Sequence, residues 1–351
     1  MKKQLVLHIG SEKTATTYLQ RLLSSQRQNI ENQGVLYPKI GFNEQAHFSL
    51  VAALHDLDHS QSLEFVPPGV KCTIESEWLP LLEMLTRQTD YHTVVLSAEH
   101  FSSRLGPNAL YKLQSLLSAL TDYSIKILYY VRRQDDFFES WYSTYIKAGG
   151  KESLTASFNK LKNNRSILDF HYIISNWIKA FPNAEYSVRS YDLDLQEGRF
   201  VSEFSKEINC NFNLTEQDFN KENKSWGPEM LSFARIVNME YSSTLGANRY
   251  TVLNQISESG IFDKNNSCQH ILNKKERREL VDNYRESNEK LKPLGFPYEQ
   301  TNYRVDEAES CSPDEVQHSV HSLVNALINL SLYCRPPKEQ AAELNKTQVR
   351  Q

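Results

Sequence analysis

The chain predicts an α/β fold in which a parallel β-sheet is covered on both faces by helices. Short β-rich apolar runs recur at 4–9, 93–97, 125–131 and 185–190, separated by long stretches of helical periodicity. Polar segments follow three of these runs, at 10–17, 98–103 and 132–133. In an open parallel sheet such segments lie beyond the carboxyl ends of the strands, where ligands bind, so they are expected to converge in space. At 351 residues, with 40% hydrophobic and 23% charged side chains, the chain can bury a large core.

Taken in order, the apolar run from Leu5 to Ile9 reads as a buried strand that Gly10 breaks. Tyr18, Leu19, Leu22 and Leu23 then open a helical stripe, and Lys13, Thr14, Thr16 and Thr17 lie between strand and stripe. Free backbone N–H groups at a helix N-terminus, a cation beside them and hydroxyls on the first turn form a phosphate cradle. The plainer alternative is a strand–turn–helix whose threonines cap the helix. A Walker A loop is excluded, because the lysine comes three residues after Gly10 with no second glycine. Alanine resists positive φ, so Ala15 is expected to keep an ordinary backbone conformation. His8, inside the strand, reads as a core residue.

The run at 93–97 ends in Glu99 and His100. Ile125 to Val131 reads as a buried strand, with Arg132 and Arg133 where it ends. Asp135 and Asp136 suit the first turn of a helix whose apolar face is Phe137, Phe138, Trp141, Tyr142 and Tyr145. Ser140 lies eight residues after Arg132 (140 − 132 = 8), about two turns into that helix. An arginine fork gives phosphate paired, charge-assisted hydrogen bonds. The alternative is that Arg132 and Arg133 pair with Asp135, Asp136 or Glu139 on the surface.

The pattern Gly10-x-x-Lys13-Thr14-x-Thr16-Thr17 after a first strand resembles the 5′-phosphosulfate loop of sulfotransferases that use 3′-phosphoadenosine 5′-phosphosulfate (PAPS). Bacterial members commonly read Lys-Thr-Gly-Thr-Thr, so Ala15 departs from the pattern. Arg132 and Ser140 match the arginine and the serine that hold the nucleotide's 3′-phosphate in that family. The likeness runs from residue 4 to 300 through Asn29–Pro38, Val94–Phe101, Leu168–Pro182, Tyr186–Asp192, Asn223–Trp226 and Arg285–Leu291.

The resemblance implies a three-layer sandwich, P-loop nucleoside-kinase-like, with a helical C-terminal extension. It implies an enzyme of the EC 2.8.2 type that moves a sulfuryl group from PAPS to a hydroxyl and leaves adenosine 3′,5′-bisphosphate, with no metal. Gly10, Lys13, Thr14, Ala15, Thr16, Thr17, Arg132 and Ser140 would then hold the nucleotide, and Lys13 would oppose charge on the leaving phosphate oxygen. Glu99 or His100 would take the acceptor's proton; His47 is a third candidate for that role, or a contact to the acceptor. Tyr191 and Asp192 would brace the site. By analogy with bacterial members the acceptor is a carbohydrate or glycolipid. Two other functions stay open. One is a variant P-loop kinase of a nucleoside or small molecule, with Glu99 as a magnesium ligand. The other is a non-catalytic nucleotide-binding protein.

A net charge of −4 argues against nucleic acid as a partner. The five cysteines are scattered without CxxC spacing, so neither a zinc site nor a disulfide is expected. The apolar run after Met1-Lys-Lys-Gln is too short for a signal peptide, and no run approaches a membrane span. A cytoplasmic location is therefore expected. Residues 145–165 read as a mobile loop or lid, 274–291 as a charged helix and 314–332 as an amphipathic one. A single domain is expected over 1–335, with 200–300 as a helical extension on the acceptor side, followed by a frayed polar tail at 336–351.

Overall fold

A computed structural model of the chain describes residues 2–41, 45–59, 63, 66–87, 90–214, 226–240, 246–262, 268, 270–301, 309–317 and 320. Five strands, β1 (Lys3–His8), β2 (Val35–Leu36), β3 (Thr93–Ser97), β4 (Tyr123–Val131) and β5 (Glu185–Ser190), form one sheet in the order β2-β3-β1-β4-β5. Every neighbouring pair is parallel; Leu5 of β1 faces Val94 on one side and Ile125 on the other. The four expected runs are β1, β3, β4 and β5. The two-residue edge strand β2 was not foreseen, because two residues carry no periodicity.

Side-chain alternation along the strands builds two cores, one on each face of the sheet. Leu5, Leu7, Val94, Leu96, Ile127, Tyr129, Val131 and Val188 face one core, together with Trp78, Phe101, Phe170 and Trp177. Val6, Val95, Leu128 and Tyr130 face the other, with Leu19, Leu22, Leu23, Phe200 and Phe204. Both faces are covered, as the uninterrupted apolar runs require.

The helices between β1 and β4 are α1 (Thr16–Ser25), α2 (Arg27–Glu31), α3 (Phe48–His55), α4 (Leu79–Arg87), α5 (His100–Arg104) and α6 (Pro107–Leu117). After β4 come α7 (Gln134–Lys147), α8 (Leu154–Leu161), α9 (Arg165–Leu168) and α10 (Phe170–Ala180). Beyond β5 lie α11 (Tyr191–Gln196), α12 (Phe200–Glu207), α13 (Pro228–Glu240), α14 (Arg249–Glu258), α15 (Lys274–Asn283) and α16 (Arg285–Glu289). The expected charged helix at 274–291 is thus two helices, broken at Tyr284.

Two compact units partition the chain. The first comprises Met1–Phe137, Leu161–Glu222 and Glu279–Arg304 and carries the whole sheet; the second comprises Phe138–Lys160, Asn223–Arg278 and Val305–Gln351. Where a single domain to 335 was expected, the chain passes from one unit to the other inside α7, and 200–300 is shared between them.

Within the second unit, the expected lid is held structure. Gly150 packs on the ring of Tyr145, where an added Cβ would sit 2.3 Å from a ring carbon. Asn238 of the buried α13 donates to the carbonyls of Ile146 and Gly150, both at 2.8 Å. Asp314 accepts the N–H groups of Leu154 and Thr155 at 3.0 Å each, capping the start of α8. Cys268 and Cys311 form a disulfide with a Cα–Cα distance of 5.7 Å, which corrects the expectation that none is present. Among the described residues, no helix is long and apolar enough to cross a membrane. Most of the predicted helix at 314–332, all of 336–351 and residues 223–225 lie outside the described residues.

Candidate functional site

β1 sits at the centre of the sheet, between β3 on one side and β4 on the other, so its carboxyl end lies at the topological switch point. The loop that leaves it continues beside β4: Ile9 N–H donates to the Leu128 carbonyl at 3.0 Å, and Ser11 N–H to that of Tyr130 at 2.7 Å. Gly10 is required twice over. Its φ is +67°, and a Cβ there would lie 2.8 Å from the Cα of Glu99.

Lys13 (φ 68°) and Ala15 (φ 54°, ψ 30°) are both left-handed, so the ordinary conformation expected at Ala15 is corrected. The reason lies in tertiary structure: the loop must leave β1 and enter α1 within seven residues, pinned meanwhile to β4 and Glu99. The threonines do not cap α1, whose N-cap is Ala15 and has no side-chain cap. Thr14 is buried and donates to the Ser11 carbonyl at 2.6 Å; Thr16, also buried, approaches the same oxygen at 3.4 Å. Thr17 is exposed. Among the described residues, the backbone N–H groups of Lys13, Ala15, Thr16 and Thr17 donate to no backbone carbonyl. They lie at the N-terminus of a ten-residue helix, turned by two left-handed residues, an arrangement whose N–H groups could receive an anion.

Three acidic and basic groups from α5 and its approach close one side. The Glu99 carboxyl is buried near the Thr16 hydroxyl. Burial, then the neighbouring Glu12 carboxylate, push it up to about 6, against the opposing pull of Thr16, Lys13 and Arg104. Glu12 accepts from the Ser103 hydroxyl at 2.8 Å and lies 3.5 Å from Nη1 of Arg104. Burial alone would raise the Glu12 carboxyl; Arg104, followed by His100, Ser103 and Lys13, more than offsets this and leaves it below its ordinary value. Burial lowers His100 to about 4, so at neutral pH it is uncharged and Glu99 is the ionised member.

On the other side, Arg132 Nη1 donates to the backbone carbonyl of Lys13 at 3.2 Å. Its Nε lies 3.5 Å from Asp192, and its guanidinium lies over the Tyr191 ring at 5.5 Å. The Arg132 side chain therefore reaches the loop backbone at Lys13, 119 residues away in sequence. Arg133 is committed elsewhere. It grips the fully buried Asp135 with a two-pronged bond (2.7 and 2.9 Å), and its backbone N–H donates to Asp192 at 2.7 Å. The pairing with Asp135 and Asp136 read as an alternative thus holds for Arg133, in the interior rather than on the surface, and spares Arg132. Burial and then Asp135 push the Asp136 carboxyl up to about 7. Ser140 belongs to the second unit, half-buried on the later part of α7, where its carbonyl accepts from the Thr144 hydroxyl at 3.1 Å.

His47 has neither a proton nor a lone pair left for an acceptor. Its Nε2 donates to the Pro38 carbonyl at 2.8 Å, and its Nδ1 accepts from the Ser97 N–H at 2.9 Å. It braces the tip of β3. His8 is fully buried, bonded through Nδ1 to the Ser97 hydroxyl at 2.8 Å and lowered by burial to about 3. Glu12, Ser103 and Arg104 were not foreseen as members of the site. Glu12 lies within the motif, but the loop pattern assigns it no task, and its partners follow some 90 residues later.

No protein-family model matches the chain. A protein of Archaeoglobus fulgidus named only as uncharacterized is 29% identical over 203 residues, covering 56% of this chain. The chain spans about half, 52%, of that relative's length. Among solved structures, a sulfotransferase from Alicyclobacillus acidocaldarius aligns with 68% of this chain and 96% of its own, at a TM-score of 0.40 and 13% identity. So loose a superposition carries no argument about chemistry, which rests on the residues themselves.

Proposed function

We propose that the protein transfers the sulfuryl group of PAPS to a hydroxyl acceptor and releases adenosine 3′,5′-bisphosphate. One observation carries this: the Arg132 guanidinium bonds to the loop backbone at Lys13, which brings its fork to the same loop whose N–H groups would seat the other anionic group of the ligand. The free N–H groups of the loop would receive the 5′-phosphate, and the Arg132 fork the 3′-phosphate. Lys13 would oppose the charge that grows on the bridging oxygen as its bond to sulfur breaks. The new bond joins sulfur to the acceptor oxygen in line with the departing phosphate, and the acceptor's proton passes to Glu99. Lys13 supplies the positive charge, so the proposal requires no metal. A carbohydrate or glycolipid is the acceptor class to try first.

The test is turnover with sulfur-labelled PAPS against a panel of saccharides and glycolipids. Lys13→Ala should melt at the wild-type temperature while turnover falls about 10²–10³-fold, the usual loss for a removed charge stabiliser. Undiminished turnover would remove Lys13 from the mechanism. Stabilisation by ATP with magnesium, but not by adenosine 3′,5′-bisphosphate, would favour a kinase instead.

A further inference from the structure

We propose that Glu12 is a positioning residue for the reaction: held to α5 by Ser103, one helical turn from Glu99, and by Arg104, it sets a fixed negative charge on the side of α5 that leads to the proposed base. This rests on the base role proposed for Glu99. Gly10 lies against the Glu99 backbone so tightly that a Cβ would come within 2.8 Å of the Glu99 Cα, which fixes the loop two residues before Glu12. The Glu12 side chain is 18% exposed, and the bonds from Ser103 (2.8 Å) and Arg104 (3.5 Å) tie it to α5, the helix that Glu99 caps. A carboxylate held this firmly cannot swing away from its neighbour or take up a proton in its place.

The groups that face Glu99 are few. Among the described residues, Glu12 and Lys13 come from the loop, Thr16 from α1 and Arg104 from α5, while His100, the next residue, faces Glu12, Arg104 and Lys13. His8, the titratable group at the end of β1, is turned into the core and bonded to Ser97. Lys13, Arg104 and Thr16 favour the ionised carboxylate. Among the described residues, Glu12 is the neighbouring charge that opposes it, second in effect to burial. Without Glu12, burial alone would oppose the pull of the lysine and the arginine, and the carboxyl would be a weaker base for a hydroxyl proton. An acid in the phosphate loop, next to the lysine, otherwise works against anion binding, and this role accounts for its presence.

The experiment follows the Glu99 carboxyl carbon by NMR across pH in the full chain labelled at glutamate, with no substrate present; loss of the signal in Glu99→Gln assigns it. Glu12→Gln should lower the proton affinity of Glu99 roughly tenfold. Glu12→Asp should largely restore it, and Arg104→Gln should move the midpoint the other way. An unchanged midpoint in Glu12→Gln overturns the proposal, leaving Glu12 as a structural partner of Arg104. If Glu12→Gln does not fold, an Arg104→Gln midpoint that fails to rise overturns it equally. The titration needs no turnover, so it is independent of the sulfuryl reading. Should Glu99→Gln keep full activity, the base assignment fails while a shifted midpoint still upholds the coupling. Where both hold, the acid limb of the pH–rate profile moves down in Glu12→Gln in step with the midpoint.

Discussion

Glu99 weakens the fold at neutral pH, and its proposed task accounts for that. Its folded-state value of about 6 lies above the ordinary 4.5, so the folded protein holds this proton more tightly than the unfolded chain. The stabilisation is fully present below pH 4.5 and is lost as pH rises through about 6, leaving an ionised carboxylate that costs about 2 kcal/mol. Glu99→Gln should therefore be more stable than wild type by up to about 2 kcal/mol at pH 7.5 and gain nothing at pH 4, measured by urea unfolding. An equal difference at both pH values would show that the charge is not the cause. The position of Glu99 was legible, because it ends an apolar run and polar strand tips gather ligands. The commitment of His47 was not: its partners are the main-chain groups of Pro38 and Ser97, which no side-chain pattern displays.

At the scale of elements, the decisive unit is the loop from Gly10 to Thr17 with α1 behind it. Its place between β1 and α1 was legible from Gly10 and the apolar stripe that follows, but its backbone was not, because close packing against β4 and Glu99 overrode the local preference of Ala15. A left-handed alanine costs about 1–2 kcal/mol, part of which glycine returns through its more flexible unfolded chain. Ala15→Gly should stabilise the protein by about 0.5–1 kcal/mol in thermal unfolding and leave ligand binding intact. A loss of stability would mean that the alanine methyl packs usefully. The strands were legible because each alternates between two buried faces. The edge strand β2, two residues long, gave no such signal.

For the whole molecule, the first unit carries the sheet and the candidate site, and the second is closed by the Cys268–Cys311 bond. Neither the division nor the disulfide was legible. The boundary falls inside an uninterrupted amphipathic helix, and the two cysteines are 43 residues apart without a motif. Closing a loop of that length is worth about 4 kcal/mol in chain entropy. Reduction should accordingly speed amide exchange in α13 of the second unit while β1 and β4 keep their protection; equal protection before and after would show that the bond contributes nothing. In the proposed reaction Lys13 and Arg132 serve one doubly phosphorylated ligand. Calorimetric titration with adenosine 3′,5′-bisphosphate and with adenosine 5′-phosphate tests it most directly. Arg132→Ala should weaken the bisphosphate by about 1.5–3 kcal/mol and leave the monophosphate almost unchanged. Equal binding of the two nucleotides by wild type, with no effect of Arg132→Ala on either, would contradict the account.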